Sequence, residues 1–156
     1  MICLLRVDDK LLHGQVAFSW VRNLRIHTII IADDTVVYDE FMKMTLGLSK
    51  PSGVHLEILE IFQAIDLINQ HVYSDLNVMI VVKSIENAYH ILEKVPEIQS
   101  LNFGSLRQRY GTKQITENIA LNEDEQQLCR KLIKDGKDIE IRMRYHDQRQ
   151  NLKDFL

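Results

Sequence analysis

The sequence predicts an α/β protein: one domain over residues 1–156, a doubly wound, mainly parallel sheet with helices on both faces. Three observations carry this prediction. Six short apolar runs, mostly rich in β-branched residues, read as strands: "ICLLR", "HTIIIA", "VHLEI", "NVMIVVK", "IQSLNF" and "IEIRM". Helical patterns separate most of them. Strands that alternate with helices need crossover connections, which a sheet covered on both faces supplies.

The first strand, "ICLLR", runs into "VDDKLL", and "HGQVAFSWV" reads as the first helix. After the second strand, Val37, Phe41, Met44 and Leu48 recur at spacings of three and four. Ile61, Ala64, Ile65 and Ile68 repeat this period, as do Ile85, Ala88, Tyr89 and Leu92. All three stripes are read as core faces. "KPSG" at Lys50–Gly53 breaks the chain before the third strand. Asn122 with Glu125 resembles a capping box, and Gly136 is placed to end that helix. "GSLRQRYGTKQITENIALNEDE" has no helical period before Asn122. It reads as a long loop or an extra strand pair, which leaves room for an antiparallel strand in the C-terminal part. "DQRQNLKDFL" reads as a final helix or a frayed tail. No repeat, low-complexity segment or linker divides the chain.

Composition narrows the function classes. With 46% hydrophobic residues, 156 residues suffice for one core. The 19 basic and 22 acidic side chains give a net charge of −3, which argues against a nucleic-acid partner. Cys3 and Cys129 show neither disulfide framework nor metal spacing, and read as reduced thiols of a cytoplasmic protein. "MICLLRVDD" lacks the basic start and long apolar run of a signal peptide. No segment approaches the about 20 apolar residues that span a bilayer.

The densest group of titratable residues is "RVDDKLLHGQV", Arg6–Val16, directly behind the first strand. In open α/β sheets, ligands gather beyond the carboxyl ends of strands. His13 falls there, at a helix N-terminus, where backbone N–H groups favour an anion. Gly14, without a Cβ, lets a bulky group approach, and Lys10 adds a positive charge. These features suit a histidine that meets a phosphoryl group. Plain readings stand beside this one: a surface histidine, Asp8 and Asp9 as loop or helix caps, and Arg6 as a structural partner of either acid. A metal bound by Asp8, Asp9 and His13 is weakened by the absence of two histidines at helical spacing. His27 and His55 fall at strand positions, and His71, His90 and His146 at exposed ones. Neither a nucleophile elbow nor a P-loop is found, and no G-x-G-x-x-G follows the first strand.

"RVDDKLLHGQV" resembles the active-site signature of the IIB subunits of the mannose/fructose/sorbose family of the bacterial sugar phosphotransferase system. "LNFGSLRQRYGTKQITENIALNEDE" is similar to a later segment of that family, where a strand ending in Asn-x-Gly leads to a basic, glycine-containing loop and a Lys-Gln pair. Length and strand–helix order match as well, so the resemblance covers essentially the whole chain.

The resemblance implies a protein-histidine phosphotransferase. It implies that His13, which precedes Gly-Gln, accepts a phosphoryl group on Nδ1 from the phosphohistidine of a IIA domain. The group then passes to a sugar entering through membrane IIC and IID subunits. Asp8 orients or polarises the imidazole, and Lys10 takes the basic loop position. Gly14, Gln15 and Ser84 are expected around the phosphate. Arg6, Arg107 and Arg109 are expected at the phosphate or in docking, with solvated surface charge as the plain reading of the latter two. The resemblance implies no cofactor and no metal, and a cytoplasmic protein associated peripherally with the membrane permease. Two departures stand out: Lys10 where arginine is the more common residue, and Ser105 where a second glycine is common. Arginine clamps phosphate bidentately, whereas lysine acts as a point charge. Two further functions compete: a ligand-binding or regulatory module with an acidic pocket of Asp8, Asp9, Asp33 and Asp34, and a small metal-dependent hydrolase using the same acids with His13.

Overall fold

The computed structural model describes Met1–Leu156. In chain order the elements are β1 (Ile2–Asp8), α1 (Gly14–Leu24), β2 (Thr28–Ala32), a 3-10 turn (Val36–Tyr38), α2 (Glu40–Ser49), β3 (His55–Leu59), α3 (Ile61–Asn69), β4 (Val78–Val82), α4 (Ile85–Lys94) and β5 (Ser100–Ser105). There follow β6 (Lys113–Gln114), β7 (Ala120–Leu121), α5 (Glu123–Lys134), β8 (Asp138–Ile141), β9 (Gln150–Asn151) and a closing 3-10 turn (Leu152–Phe155). All six apolar runs are strands of one sheet, ordered β3-β2-β4-β1-β5-β8-β9. Its pairs are parallel except the last, where β9 runs antiparallel to β8.

The inner strands explain their composition. Every residue of β2 and β4 is buried, so these strands read as unbroken β-branched runs rather than alternating ones. Helices α3, α4 and α5 cover one face of the sheet and α1 and α2 the other. The first face holds 27 clustered core residues and the second 14, so the second leaves sheet surface over β1, β5 and β8 for other groups. Polar side chains and a C-terminal turn fill that surface. At its carboxyl ends the sheet reverses winding direction: from β1 the chain moves toward β2, and from β4 it crosses over β1 to β5. That switch between β4 and β1 opens a crevice.

The caps on α5 form as the sequence predicts: Asn122 and Glu125 make a reciprocal capping box, and Gly136, at φ +87°, follows the helix end. The irregular stretch resolves into the extra strand pair, a two-residue antiparallel pairing of β6 and β7. The C-terminal tail is neither a long helix nor frayed. It forms β9 and a 3-10 turn anchored by the fully buried Leu152.

One core face is corrected. In α2, Met42 and Leu46 turn inward, whereas Phe41, Met44 and Leu48 face solvent, as does Tyr38 before them. The helix lies against β3 at the sheet edge, where one narrow stripe suffices, and its second apolar stripe has nothing to cover. The stripes of α3 and α4 do face the core, with Tyr89 and Ile65 partly buried.

Candidate functional site

Arg6 and Asp8 lie two residues apart on β1 and so share one face, the thinner one. Both are buried, at 2% and 0% exposure. Arg6 Nη2 meets Asp8 Oδ2 at 3.0 Å. Burial pulls the Arg6 pKa below its ordinary value, while the charges of Asp8 and Glu140 oppose the shift. The guanidinium keeps its proton throughout the working pH range.

Beyond β1 the chain makes a strained turn. Leu11 adopts φ +57°, a left-handed conformation unusual for leucine, and its N–H donates to the Asp8 carbonyl at 2.9 Å. Burial of Leu11 and Leu12 among the α1 and α2 core residues holds this turn. It brings His13 back over Asp8, with Nε2 2.9 Å from Oδ2, while Lys10 N–H donates to Oδ1 at 3.0 Å. An ionised carboxylate only accepts hydrogen bonds, so Nε2 must be the nitrogen that donates. The neutral imidazole therefore carries its proton on Nε2 and a bare lone pair on Nδ1. The side chain is 27% exposed.

His13 is also the N-cap of α1, and its side chain makes no capping bond. Helices α2, α4 and α5 are capped by Asp39, Ser84 and Asn122. Helix α1 has neither such a cap nor an acid in its first turn. Gly14, at φ +44°, begins it, and a Cβ there would meet nothing within 4 Å. The glycine is thus required by its backbone angle. Gln15 is exposed beside it, and the exposed Lys10 ammonium has no partner.

On the other side of the loop lies a separate cleft of about 640 Å³. It opens at the carboxyl ends of β2, β4, β1 and β5, and Asp33, Lys83, Ser84, Asp9 and Arg107 line it. His13, Asp8 and Lys10 do not. The structure thus divides the expected residues into two groups with the β1 loop between them. Ser84 lines the cleft while accepting the Asn87 N–H at 3.2 Å. Asp9 Oδ2 takes both the N–H and Nε of Arg107, at 2.9 and 3.0 Å. Lys83 was not singled out from sequence, although its place immediately after a buried strand was a usable signal.

Three expectations change. Arg6, read as a phosphate or docking residue, is buried with both terminal nitrogens of its guanidinium engaged inside the protein, the geometry of a structural partner of Asp8. Arg109 is not a free surface charge: it lines the cleft beside Arg107 while holding Glu125 through both terminal nitrogens, at 3.2 and 2.9 Å, and the Ala120 carbonyl at 3.1 Å, which ties the basic loop to α5. The expected acidic pocket assembles only in part: Asp9, Asp33 and Asp34 line the cleft together, whereas Asp8 lies outside it, and Lys83, Arg107 and Arg109 on the same walls offset the acids. Burial pushes the Asp33 carboxyl up, but hydrogen bonds from Val36 and Thr35 outweigh it and hold the group below the usual carboxylate range. Asp34 accepts the Ile61 N–H at 2.9 Å. No three His, Cys, Asp or Glu side chains converge in a metal-holding group. Burial pushes the Cys129 thiol up to about 12. No helix is long and apolar enough to cross a membrane.

With this geometry in place, a family model described as the PTS system sorbose subfamily IIB component matches residues 2–156. The chain belongs to that family. It is a IIB component of a sugar phosphotransferase system. Its sequence is 30% identical over 138 residues to a probable phosphotransferase enzyme IIB component of Streptococcus pyogenes, with 85% of each chain covered. It is 28% identical over all 156 residues to the mannose-specific EIIAB component of Escherichia coli, of which this IIB chain spans about half (48%). The crystal structure of the IIBSor domain of the Klebsiella pneumoniae sorbose permease superposes with a TM-score of 0.93 at 28% identity, covering 99% of this chain and 94% of that one.

Proposed function

We propose that this IIB component accepts a phosphoryl group on Nδ1 of His13 from the phosphohistidine of a IIA domain, and passes it to a sugar hydroxyl presented by membrane IIC and IID subunits. One observation carries the reading. The Nε2 face of His13 is held by the buried Asp8 carboxylate, which leaves Nδ1, the nitrogen without that partner, as the nucleophilic one.

The chemistry follows from that arrangement. The Nδ1 lone pair attacks phosphorus, the P–N bond to the donor imidazole breaks, and the donor recovers its electron pair. His13 becomes an imidazolium whose Nε2 proton still points at Asp8, and the carboxylate stabilises the new positive charge as in other carboxylate–histidine pairs. The phosphoryl oxygens meet the uncapped first turn of α1 at Gly14 and Gln15, with the free Lys10 ammonium nearby. In the second half, the sugar oxygen attacks phosphorus, the N–P bond breaks, and the hydroxyl proton leaves to a base. The His13 pair of electrons returns to Nδ1. In this reading Ser84, expected at the phosphate, and Arg107 line the neighbouring cleft and meet an incoming partner or substrate instead. The fusion of IIA to IIB in the Escherichia coli relative's EIIAB name supports IIA as the donor. In this reading the protein works in the cytoplasm, docked peripherally on its permease, and needs no cofactor, because the transferred group arrives on a protein.

The test is to incubate the protein with phosphoenolpyruvate, the two general phosphotransferase proteins and a mannose-family IIA domain, then read the intact mass. One acid-labile, base-stable phosphate mapped to His13 is expected, with none on His13→Ala. Label on the alanine variant sinks the assignment.

A further inference from the structure

The Arg6 guanidinium sits at a junction. Nη2 donates to Asp8 Oδ2 and to the Met143 carbonyl, both at 3.0 Å. Nη1 donates to Asn102 Oδ1 at 2.6 Å and to the Arg142 carbonyl at 3.0 Å. Each terminal nitrogen thus holds one side chain on the sheet and one carbonyl on the turn after β8. Asn102, 1% exposed, is fixed in turn by donating Nδ2 to Glu140 Oε1 at 3.3 Å. The plane fits because Gly104 lies beneath it: a Cβ there would fall 2.0 Å from Arg6 Nη2 and 2.7 Å from Asp8 Oδ2.

The same turn grips α1. Trp20 Nε1 donates to the Met143 carbonyl at 2.9 Å, and Tyr145 N–H donates to Ser19 Oγ at 3.1 Å. The Trp20 ring lies edge-on to Tyr145, and the Arg142 guanidinium sits 4.8 Å from its centroid. A ring of contacts therefore closes from Asp8 through Arg6, Met143, Trp20 and α1 to His13, the N-cap residue of α1, and back to Asp8. Asp8 rides on the sheet and His13 at the N-terminal end of the helix, and the turn is tied to both.

We propose that Arg6 and the Arg142–Tyr145 turn form a positioning relay for His13, holding the Asp8 carboxylate against Nε2 so that the imidazole presents Nδ1. The proposal rests on the reading of His13 as phosphoryl acceptor and adds the residues that act through Asp8. Arg6 does not touch the phosphate, since its terminal donors are all taken below the surface. Lysine would keep the charge but not the fork, which reaches strand and turn together. A displacement of about 1 Å at a reacting group costs on the order of a hundredfold in rate, so a relay that fixes helix against sheet has a measurable consequence.

The experiment reads the His13 tautomer by long-range 15N–1H NMR across a pH titration, alongside the rate of phosphate uptake from phospho-IIA. Neutral wild-type His13 is expected to carry its proton on Nε2. In Arg6→Lys the tautomers are expected to mix and the rate to fall about a hundredfold. Trp20→Phe, which loses the Nε1 donor to Met143 and trims the buried ring but leaves the Arg6 fork intact, is expected to shift both in the same direction by less. If Arg6→Lys does not fold, wild type and Trp20→Phe decide. A proton on Nδ1 in the wild type overturns the relay, as do wild-type tautomer and rate in every folded variant. Failure of wild-type His13 to take phosphate overturns the functional reading instead, and the tautomer still tests the relay.

Discussion

Asp8 and Asp9 are neighbours in sequence, and each pairs with an arginine at 3.0 Å, yet the two pairs do different things. Asp8 and Arg6 are sealed beneath α1 and the turn after β8. Asp9 and Arg107 stand at the mouth of the cleft, with the arginine side chain 65% exposed. Distance is the same, so it does not set the value of a pair. Burial does, through two opposing effects: it removes the water that would screen the attraction, and it removes the water that would accept a charge left alone. The sealed pair holds its geometry and punishes disruption. The open pair is adaptable, which suits a surface that partners must approach and leave.

The largest effect is expected from the smallest addition. Gly104→Ala puts a methyl group where Arg6 Nη2 lies, and the guanidinium has only protein around it. Breaking a buried pair costs about 3–5 kcal/mol, and a urea unfolding curve should show a loss of that order together with loss of phosphate uptake. Wild-type stability in Gly104→Ala would mean that the sealed cluster yields easily, and the contrast with the cleft would collapse.

Asp8→Asn comes next. The shape is nearly kept, but the amide no longer compels Nε2 to be the donor or balances the imidazolium. A tautomer-setting carboxylate of this kind contributes on the order of 10²–10⁴ in rate. Single-turnover transfer from phospho-IIA should fall within that range. Asp9→Asn, the matched change in the open pair, should fall by less than about tenfold, because water replaces what is lost.

How much of this was legible follows the same division between local and remote causes. Strands β2 and β4 announce themselves because a strand buried on both faces must be apolar throughout. The α5 cap is written within four residues. The outward face of α2 was not legible, because a helix carrying two apolar stripes does not say which one meets the sheet. Strands β6 and β9 are two-residue polar segments whose pairing comes from the tertiary fold. At the site, His13, Asp8 and Lys10 lie within one stretch and were found together. Asn102 and the turn that complete the cluster lie 96 and 136 residues from Arg6. A signal existed all the same: Arg6 and Asp8 at strand spacing, with Asn102 and Glu140 inside other apolar strands, mark polar groups that burial obliges to find one another.

A smaller effect tests whether the cleft has a sealed element of its own. Asp33 is little exposed, and its carboxyl is held below the usual range by the Thr35 and Val36 donors. A depressed folded-state pKa contributes stability that is complete above the unfolded value, about 3.9, and is lost as pH falls through the folded one. Asp33→Asn should therefore flatten the dependence of stability on pH below about 4 and leave the slope near neutrality unchanged. An unaltered acid limb would show that the turn does not depend on the charge.

The smallest expected effect sharpens the comparison most. Arg107→Ala removes the open pair's cation, and an exposed ion pair is worth at most about 1 kcal/mol, screened by salt. Its unfolding midpoint should lie close to wild type and merge with it in about 0.5 M salt, where the Debye length is only a few ångströms. Asp9 Oδ1 complicates the outcome, because that oxygen is buried without a partner, so Asp9 is less open than Arg107. If Arg107→Ala costs well over 1 kcal/mol and salt does not erase the loss, then Asp9 behaves as a buried charge. The boundary between sealed and open would then pass through the Asp9 side chain, one residue beyond Asp8.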